Sequence, residues 1–209
     1  MHNSCPTFTI CLFGPDGSGK STLVKFLRGY LISRGVYAYI SWFRGSHLVA
    51  SLLARFLSRF TVFRGFGNPY YGISVPSRLR FVWLFIEFSS ILPYYFLRRF
   101  LSLFGCVVGD RCLIDFIVWV IVTLDYPRFL STILGRFLSR LAFNGVLVYV
   151  TADYRVLSVR APSTPSWFLL REEACYSVLS RYYASCVIDT TSMSPRESFS
   201  ELLRCLREL

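Results

Sequence analysis

Lysine is nearly absent from this chain of 209 residues: Lys20 and Lys25 are the only two, and all other basic residues are arginines. Histidine is equally scarce, with His2 and His47 alone, and none of the seven cysteines belongs to a C-x-x-C pair. That pattern speaks against a zinc site of ordinary spacing, and most of the cysteines read as core thiols without a catalytic role. Also missing is a run of roughly 20 apolar residues free of charge, which a membrane crossing needs. That absence carries weight, because 54% of the residues are hydrophobic and the mean hydropathy is +0.47. The most apolar stretches, 81–96 and 112–124, are interrupted by Glu87 and Pro93 in the first and by Asp115 in the second. They read as buried helices or as a helical dimer face. No basic leader with a long apolar run opens the sequence, so cytoplasmic residence is expected. Repeats, low-complexity tracts and long charged linkers are lacking too. The length suits one domain over 1–209 rather than two.

What the chain has in excess is arginine, giving a net charge of +11. Guanidinium forks pair bidentately with phosphate oxygens, which suits a phosphorylated ligand. The same charge allows a nucleic acid or a lipid surface, and a solvated arginine face is the simplest reading of all. Charge alone does not choose.

Residue patterns alternate strand and helix. "TFTICLF" (7–13) is a strand running into glycines. Apolar residues at 23, 24, 27, 30 and 31 make 21–33 a helix, with Gly35 as its stop. A strand over 36–43 and a helix over 46–60 come next. Gly, Asn and Pro make 63–77 a loop, which leads into a long helix from about 77 to 103. "GCVVGD" (105–110) is a short buried strand, 113–124 and 127–142 are helical, and "GVLVYVTA" (145–152) is a continuous apolar strand. A last strand at 186–191 precedes a helix over 195–209, opened by Ser194 and Pro195. Five strands interleaved with helices predict an α/β three-layer fold, a five-stranded parallel sheet flanked by helices.

One stretch carries chemistry. "GPDGSGKS" (14–21) fits G-x-x-x-x-G-K-[ST], the P-loop, and stands where it must, between a strand and an amphipathic helix. Gly14, Gly17 and Gly19 allow turns that point backbone N–H groups at phosphate oxygens. The loop as a whole, Gly14, Pro15, Asp16, Gly17, Ser18, Gly19, Lys20, Ser21 and Thr22, is the expected ATP-binding segment. Lys20 is expected to reach the β- and γ-phosphates and the Ser21 hydroxyl to ligate Mg²⁺. A second acidic group at a strand end is needed for the metal. Asp110, followed by Arg111, is the best candidate and Asp153 the weaker one.

The loop and several segments downstream of it resemble the thymidylate kinases and related nucleoside monophosphate kinases. Residues 14–22 match that family's G-x-D-G-S-G-K-S-T. Asp110-Arg111-Cys112 matches its D-R-Y, with Cys at the Tyr position, and Phe13 stands where the family usually has Glu. Asp115 sits where many archaeal-type members have Asp. "VTADYRVLSVR" (150–160) is similar to the fourth strand and the start of a mobile lid, and "CVIDTTSMSPRE" (186–197) to the last strand and adenine-side loop. The resemblance implies a P-loop kinase that uses ATP and Mg²⁺, converts dTMP to dTDP and forms a homodimer, with no nucleic acid as partner. It also implies a lid at about 155–175, in which Arg155, Arg160 or Arg171 closes on the transferring phosphate. Arg160 is the one assigned to catalysis, with Lys20, Asp110 and Arg111.

The acceptor is read from the end of the second strand. A hydroxyl acceptor needs a general base there, whereas a phosphate monoester is already ionised. "SWFRGS" offers Arg44 and no carboxylate, which suits a phosphate, or else marks Arg44 as a surface residue. Arg78 and Arg111 complete the expected acceptor contacts. For Asp16 two readings stand: a turn former, or, by the resemblance, a carboxylate facing the acceptor's sugar. Two other functions remain: a kinase of nucleosides or small alcohols, and a nucleotide-dependent switch or ATPase with a membrane or protein partner.

Overall fold

The computed structural model describes residues 8–142 and 145–208. His2, Cys5, the first residue of the expected 7–13 strand and the last of the 195–209 helix lie outside them.

The first element among the described residues is β1 (Thr9–Phe13), buried from Ile10 to Phe13, which passes through the glycine-rich loop into α1 (Lys20–Ser33). Leu23, Val24, Leu27 and Leu31 form the buried face of that helix. Then come β2 (Ala38–Trp42), α2 (Leu48–Leu57), a short β3 (Arg64–Asn68), α3 (Arg80–Leu101), β4 (Cys106–Asp110) and α4 (Leu113–Thr123). The second half holds α5 (Ile133–Ala142), β5 (Val146–Thr151), α6 (Tyr154–Arg160), α7 (Ser166–Tyr183), β6 (Cys186–Asp189) and α8 (Pro195–Glu208). Five strands form one parallel sheet in the order β2-β4-β1-β5-β6. One face packs against α1 and α8 through a core that includes Leu12, Leu27, Val108, Ile188 and Leu202. The other lies under α3, α4, α5 and α7 through Phe13, Ile91, Ile117, Leu138 and Tyr176. This is the expected three-layer α/β fold.

The order fixes the place of any ligand. From β1 the chain builds β2 and β4 on one side and β5 and β6 on the other. In register, Leu12 faces Asp110 while Phe13 faces Tyr149. The loops after β1 and β4 therefore leave the sheet side by side, at the crevice where open α/β sheets bind ligands.

Four expectations need correction. Residues 63–77 are not irregular throughout: β3 bridges back to Ile73, and a Cβ on Gly65 would meet the Ser74 Cβ at 2.5 Å. Its glycines let two backbones pass closely, and the resulting turn presents Tyr70. Residues 127–142 are two pieces, a 3-10 turn at Pro127–Ser131 and α5, separated at Thr132, whose hydroxyl accepts from Gly135 N at 3.0 Å. Cys186 and Cys205 are not core thiols but a disulfide that ties β6 to α8, whereas Cys11, Cys106 and Cys112 are buried thiols. Residues 113–124 offer no dimer face, because α4 is buried on every side apart from a partly exposed Ile121. No helix among the described residues is long and apolar enough to cross a membrane.

Candidate active site

Between β1 and α1 the loop takes the shape that its glycines allow. Gly14 has φ +142°, and a Cβ there would lie 2.1 Å from the Val150 carbonyl oxygen. Gly19, at φ +90°, is the N-cap of α1, and no side chain caps that helix. Its first-turn N–H groups and positive dipole end thus stay available to an anion. Lys20 is 4% exposed, and its Nζ donates to the Pro15 carbonyl at 2.5 Å and to Ser18 Oγ at 3.0 Å. Burial, then the nearby Arg111 guanidinium, lower its pKa to about 8. Such an ammonium gains from any anion that reaches it. The Ser21 hydroxyl is on the exposed first turn, and Asp110 ends β4, largely buried. No group of three or more metal-ligating side chains occurs among the described residues. One hydroxyl and one carboxylate fit an ion such as Mg²⁺, which takes its remaining ligands from phosphate and water. The loop and this donor pair therefore fit a Mg²⁺-nucleotide.

Arg111 follows Asp110 with φ +81°, an uncommon backbone for arginine. Its guanidinium, buried, ion-pairs with Asp16 and, at 3.2 Å, with Asp115. Asp115 also accepts from Tyr176 Oη at 2.8 Å and from the Cys112 N–H at 2.6 Å. Cys112 is the N-cap of α4, so the family's Tyr position here helps to start a helix. Phe13 is fully buried with its ring centroid 5.4 Å from that of Tyr149 and 6.3 Å from that of Tyr176. An aromatic cluster fills the place of the family's Glu.

Asp16 is the hub. Besides Arg111 it binds Arg44 at 3.0 Å, accepts from Tyr70 Oη at 2.5 Å, and lies 3.5 Å from Thr164 Oγ1. Burial alone would raise its pKa; Arg111 and then Arg44 outweigh that and hold it well below the usual carboxylate range. Arg44 also donates to Tyr70 Oη, and its guanidinium stands 4.2 Å from the Tyr70 ring centroid and 5.3 Å from that of Trp119. Phe168 closes this aromatic wall, 5.8 Å from Tyr70 and 6.4 Å from Trp119. Behind Arg44, the loop turns at Ser46, φ +56°, where the buried Glu87 carboxylate accepts from Ser46 N at 2.5 Å and Ser46 Oγ at 2.6 Å. The indoles of Trp83 and Trp119 donate to the same carboxylate. Glu87 thus holds the segment that aims Arg44.

Glu172 belongs to no motif and enters the site only through the fold. It is 2% exposed, its Oε1 is 3.7 Å from Arg44, and its Oε2 has no hydrogen-bond partner. Burial, then the neighbouring Asp16 charge, push its pKa up to about 7. The long contact to Arg44 opposes this without reversing it, because that guanidinium is already bound to Asp16. The folded chain therefore keeps this proton to about pH 7, whereas the unfolded chain loses it near the ordinary 4.5. Its contribution to stability is full below about 4.5 and is lost as pH rises through 7. Thermal melts are expected to show stability falling by up to about 1.4 kcal/mol per pH unit across that window. Glu172→Gln should flatten the slope; an unchanged slope would place the titration elsewhere.

The other expected residues divide. Arg160 lies beside the start of α1, donating to Thr190 Oγ1 at 3.0 Å and to the Thr190 carbonyl at 3.2 Å. It borders a cavity of about 210 Å³ beside Gly19 and Thr22, closed by Met193 and Pro195. Arg171 turns outward to an exposed Asp125 at 3.2 Å. Arg78 is exposed and enters none of the Asp16 contacts. Asp153, the weaker of the two expected metal carboxylates, caps α6 through the Arg155 N–H at 2.8 Å. Tyr70, Trp119 and Thr164 join the site from distant segments. The segment 155–175 consists of α6, a turn and the first half of α7.

No protein-family model and no curated protein matches this sequence. Solved structures do. The thymidylate kinase of Ehrlichia chaffeensis superposes with a TM-score of 0.52 at 17% identity, over 95% of this chain and 98% of that one. The thymidylate kinase of Candida albicans, described as having broad substrate specificity, gives 0.60 at 13% identity, over 96% and 91%. The fold of this chain is that of the thymidylate kinases.

Proposed function

We propose that the chain is an ATP- and Mg²⁺-dependent kinase that phosphorylates a nucleoside monophosphate, with dTMP the first acceptor to test. One observation carries this reading: Asp16 of the phosphate loop is bound on its far side to Arg44 and Arg111. Two guanidiniums at the acceptor end suit a substrate that arrives as a phosphate. Lys20 and the loop amides would take the β- and γ-phosphates, with Ser21 and Asp110 holding Mg²⁺, whose positive charge offsets that building on the phosphoryl oxygens. Arg160 serves the donor side, and the 155–175 segment is the proposed lid of this single domain. Arg78, pointing to solvent, has the weakest claim of the proposed acceptor contacts.

A second reading rests on Glu172. A buried carboxylate with an unpartnered oxygen and a pKa of about 7 is the kind of group that takes a proton from a hydroxyl acceptor. ADP release with a panel of nucleoside monophosphates and the matching nucleosides, followed by product identification, separates the two. The expected result is dTDP from dTMP and little turnover with thymidine. Turnover of nucleosides alone would overturn it in favour of Glu172, and slow hydrolysis without any acceptor would favour a nucleotide switch.

Cytoplasmic residence goes with nucleotide substrates, while the Cys186–Cys205 bond speaks for a more oxidising setting. The proposed partners are nucleotides, not nucleic acid. Of the two helices expected to build a homodimer, only α3 keeps an apolar outer face.

A further inference from the structure

Two points of left-handed backbone flank the site. Arg111 itself has φ +81°, and Ser46, just past Arg44, has φ +56°. Residues other than glycine keep such a backbone only where their surroundings hold it. Both are held, and from one element. At Ser46 the holder is Glu87 of α3, which accepts from its N–H and its hydroxyl. At Arg111 the N–H donates to the Leu12 carbonyl at 3.0 Å, while the carbonyl accepts from Nη1 of Arg98, on the same α3, at 3.4 Å.

Glu87 and Arg98 are separated along α3 by about three turns, so both project from one side of it, about 16 Å apart along the axis. That side faces the sheet. Arg98 crosses β4 at Gly109, where a Cβ would lie 2.7 Å from its Nη2 and 3.1 Å from its Cζ. The missing side chain gives the guanidinium room to reach the strand end. Arg98 also hydrogen-bonds to the Cys11 sulfur, and it makes no ion pair among the described residues. Its direction is therefore set by the end of β4 and by Cys11, not by attraction to a carboxylate.

We propose that Glu87 and Arg98 are a pair of positioning residues, through which α3 sets the spacing between the guanidiniums of Arg44 and Arg111. Glu87 acts on Arg44 through Ser46, and Arg98 acts on Arg111 through its main-chain carbonyl. Neither touches Asp16, the point where the two arginines meet. A helix is stiff along its axis, so two anchors on one helix cannot drift apart as two loops could. A phosphate gripped by two forks needs that fixed distance, since a misplacement of about 1 Å can cost about a hundred-fold in rate. The inference rests on the kinase reading for the acceptor alone; the hold on Arg111 is a property of the chain by itself.

The test uses the full chain with Arg98→Met, Arg98→Lys, Gly109→Ala and Glu87→Gln. Heteronuclear NMR follows exchange of the Arg111 side-chain N–H protons, which Asp16 and Asp115 shelter and which Arg111→Lys identifies by their loss. Coupled ADP release gives KM for the monophosphate, and titration gives Kd for ATP. In Arg98→Met, exchange should quicken at least about ten-fold and the acceptor KM rise about ten-fold, with Kd for ATP within about two-fold. Gly109→Ala, which displaces the guanidinium at its flexible end, should do the same to a smaller degree. Arg98→Lys, still a donor to the carbonyl, should restore most of both. Glu87→Gln should raise the acceptor KM and leave Arg111 exchange unchanged. Unchanged exchange in Arg98→Met and Gly109→Ala would overturn the proposal, as would equal losses for acceptor and ATP or an acceptor KM indifferent to Glu87→Gln. If Arg98→Met does not fold, Gly109→Ala decides. A wild-type chain that phosphorylates no monophosphate would end the kinase reading, and the exchange rates would still judge this one.

Discussion

Lys20→Ala is expected to lower phosphoryl transfer by about 10³-fold or more. Lys20 is the only lysine in contact with the loop, and its ammonium is folded back onto Pro15 and Ser18. In that position it is a desolvated cation near a second cation, Arg111, which is why its pKa lies near 8 rather than at the usual lysine value. A nucleotide's terminal phosphates would draw it out and give it the anionic partner that the loop carbonyl only approximates. Loss of the side chain should not unfold the protein. It removes a buried charge repelled by Arg111, at the cost of two hydrogen bonds worth roughly 1 kcal/mol each. Coupled ADP release measures the transfer, and a melting curve checks the fold. Near-normal turnover would end the assignment of the loop to nucleotide phosphates.

Asp16→Ala should produce the second large effect, on the acceptor side. A carboxylate within a phosphate cradle looks misplaced until its partners are counted: Arg44, Arg111, Tyr70 and Thr164 all converge on it. Its removal leaves two buried guanidiniums short of a counter-ion, a change that typically costs about 3–5 kcal/mol. The melting temperature should drop, and kcat/KM for the acceptor should fall by about 10²-fold or more, with ATP affinity changed far less. Asp16→Asn separates the two effects, because the amide retains most of the hydrogen bonds without the charge. That variant should recover part of the stability while acceptor use stays impaired. Equal losses for ATP and acceptor in both variants would reduce Asp16 to a turn former.

Much of this arrangement was legible in the sequence for physical reasons. The P-loop demands glycines at fixed places, and parallel strands buried on both faces must be continuous apolar runs, as 145–152 is. Sequence patterns likewise placed Asp110 at a strand end, but did not show that Arg111 beside it turns away to Asp16 and Asp115. Other parts depend on distant contacts. Tyr70 reaches Asp16 only because the glycines of 63–77 allow a close hairpin. Glu172 does carry a signal in its surroundings: Phe168, Leu169, Glu172, Tyr176 and Leu179 recur at helical spacing, which places an acid on a buried face. The Cys186–Cys205 bond has none, since a separation of 19 residues fits many arrangements.

The enclosure of α4 has a bearing on every variant above. Its sequence, "LIDFIVWVIVT", is rich in Ile and Val, which favour strands, and it is helical because the surrounding layers hold it so. In a partly unfolded chain, "FIVWVIVT" becomes an uncharged, proline-free segment of the kind that stacks into intermolecular sheets. Loosening of the core would then be registered first as precipitation. Activities of substituted proteins therefore need to be compared per soluble, monodisperse molecule, because aggregation would otherwise mimic loss of catalysis.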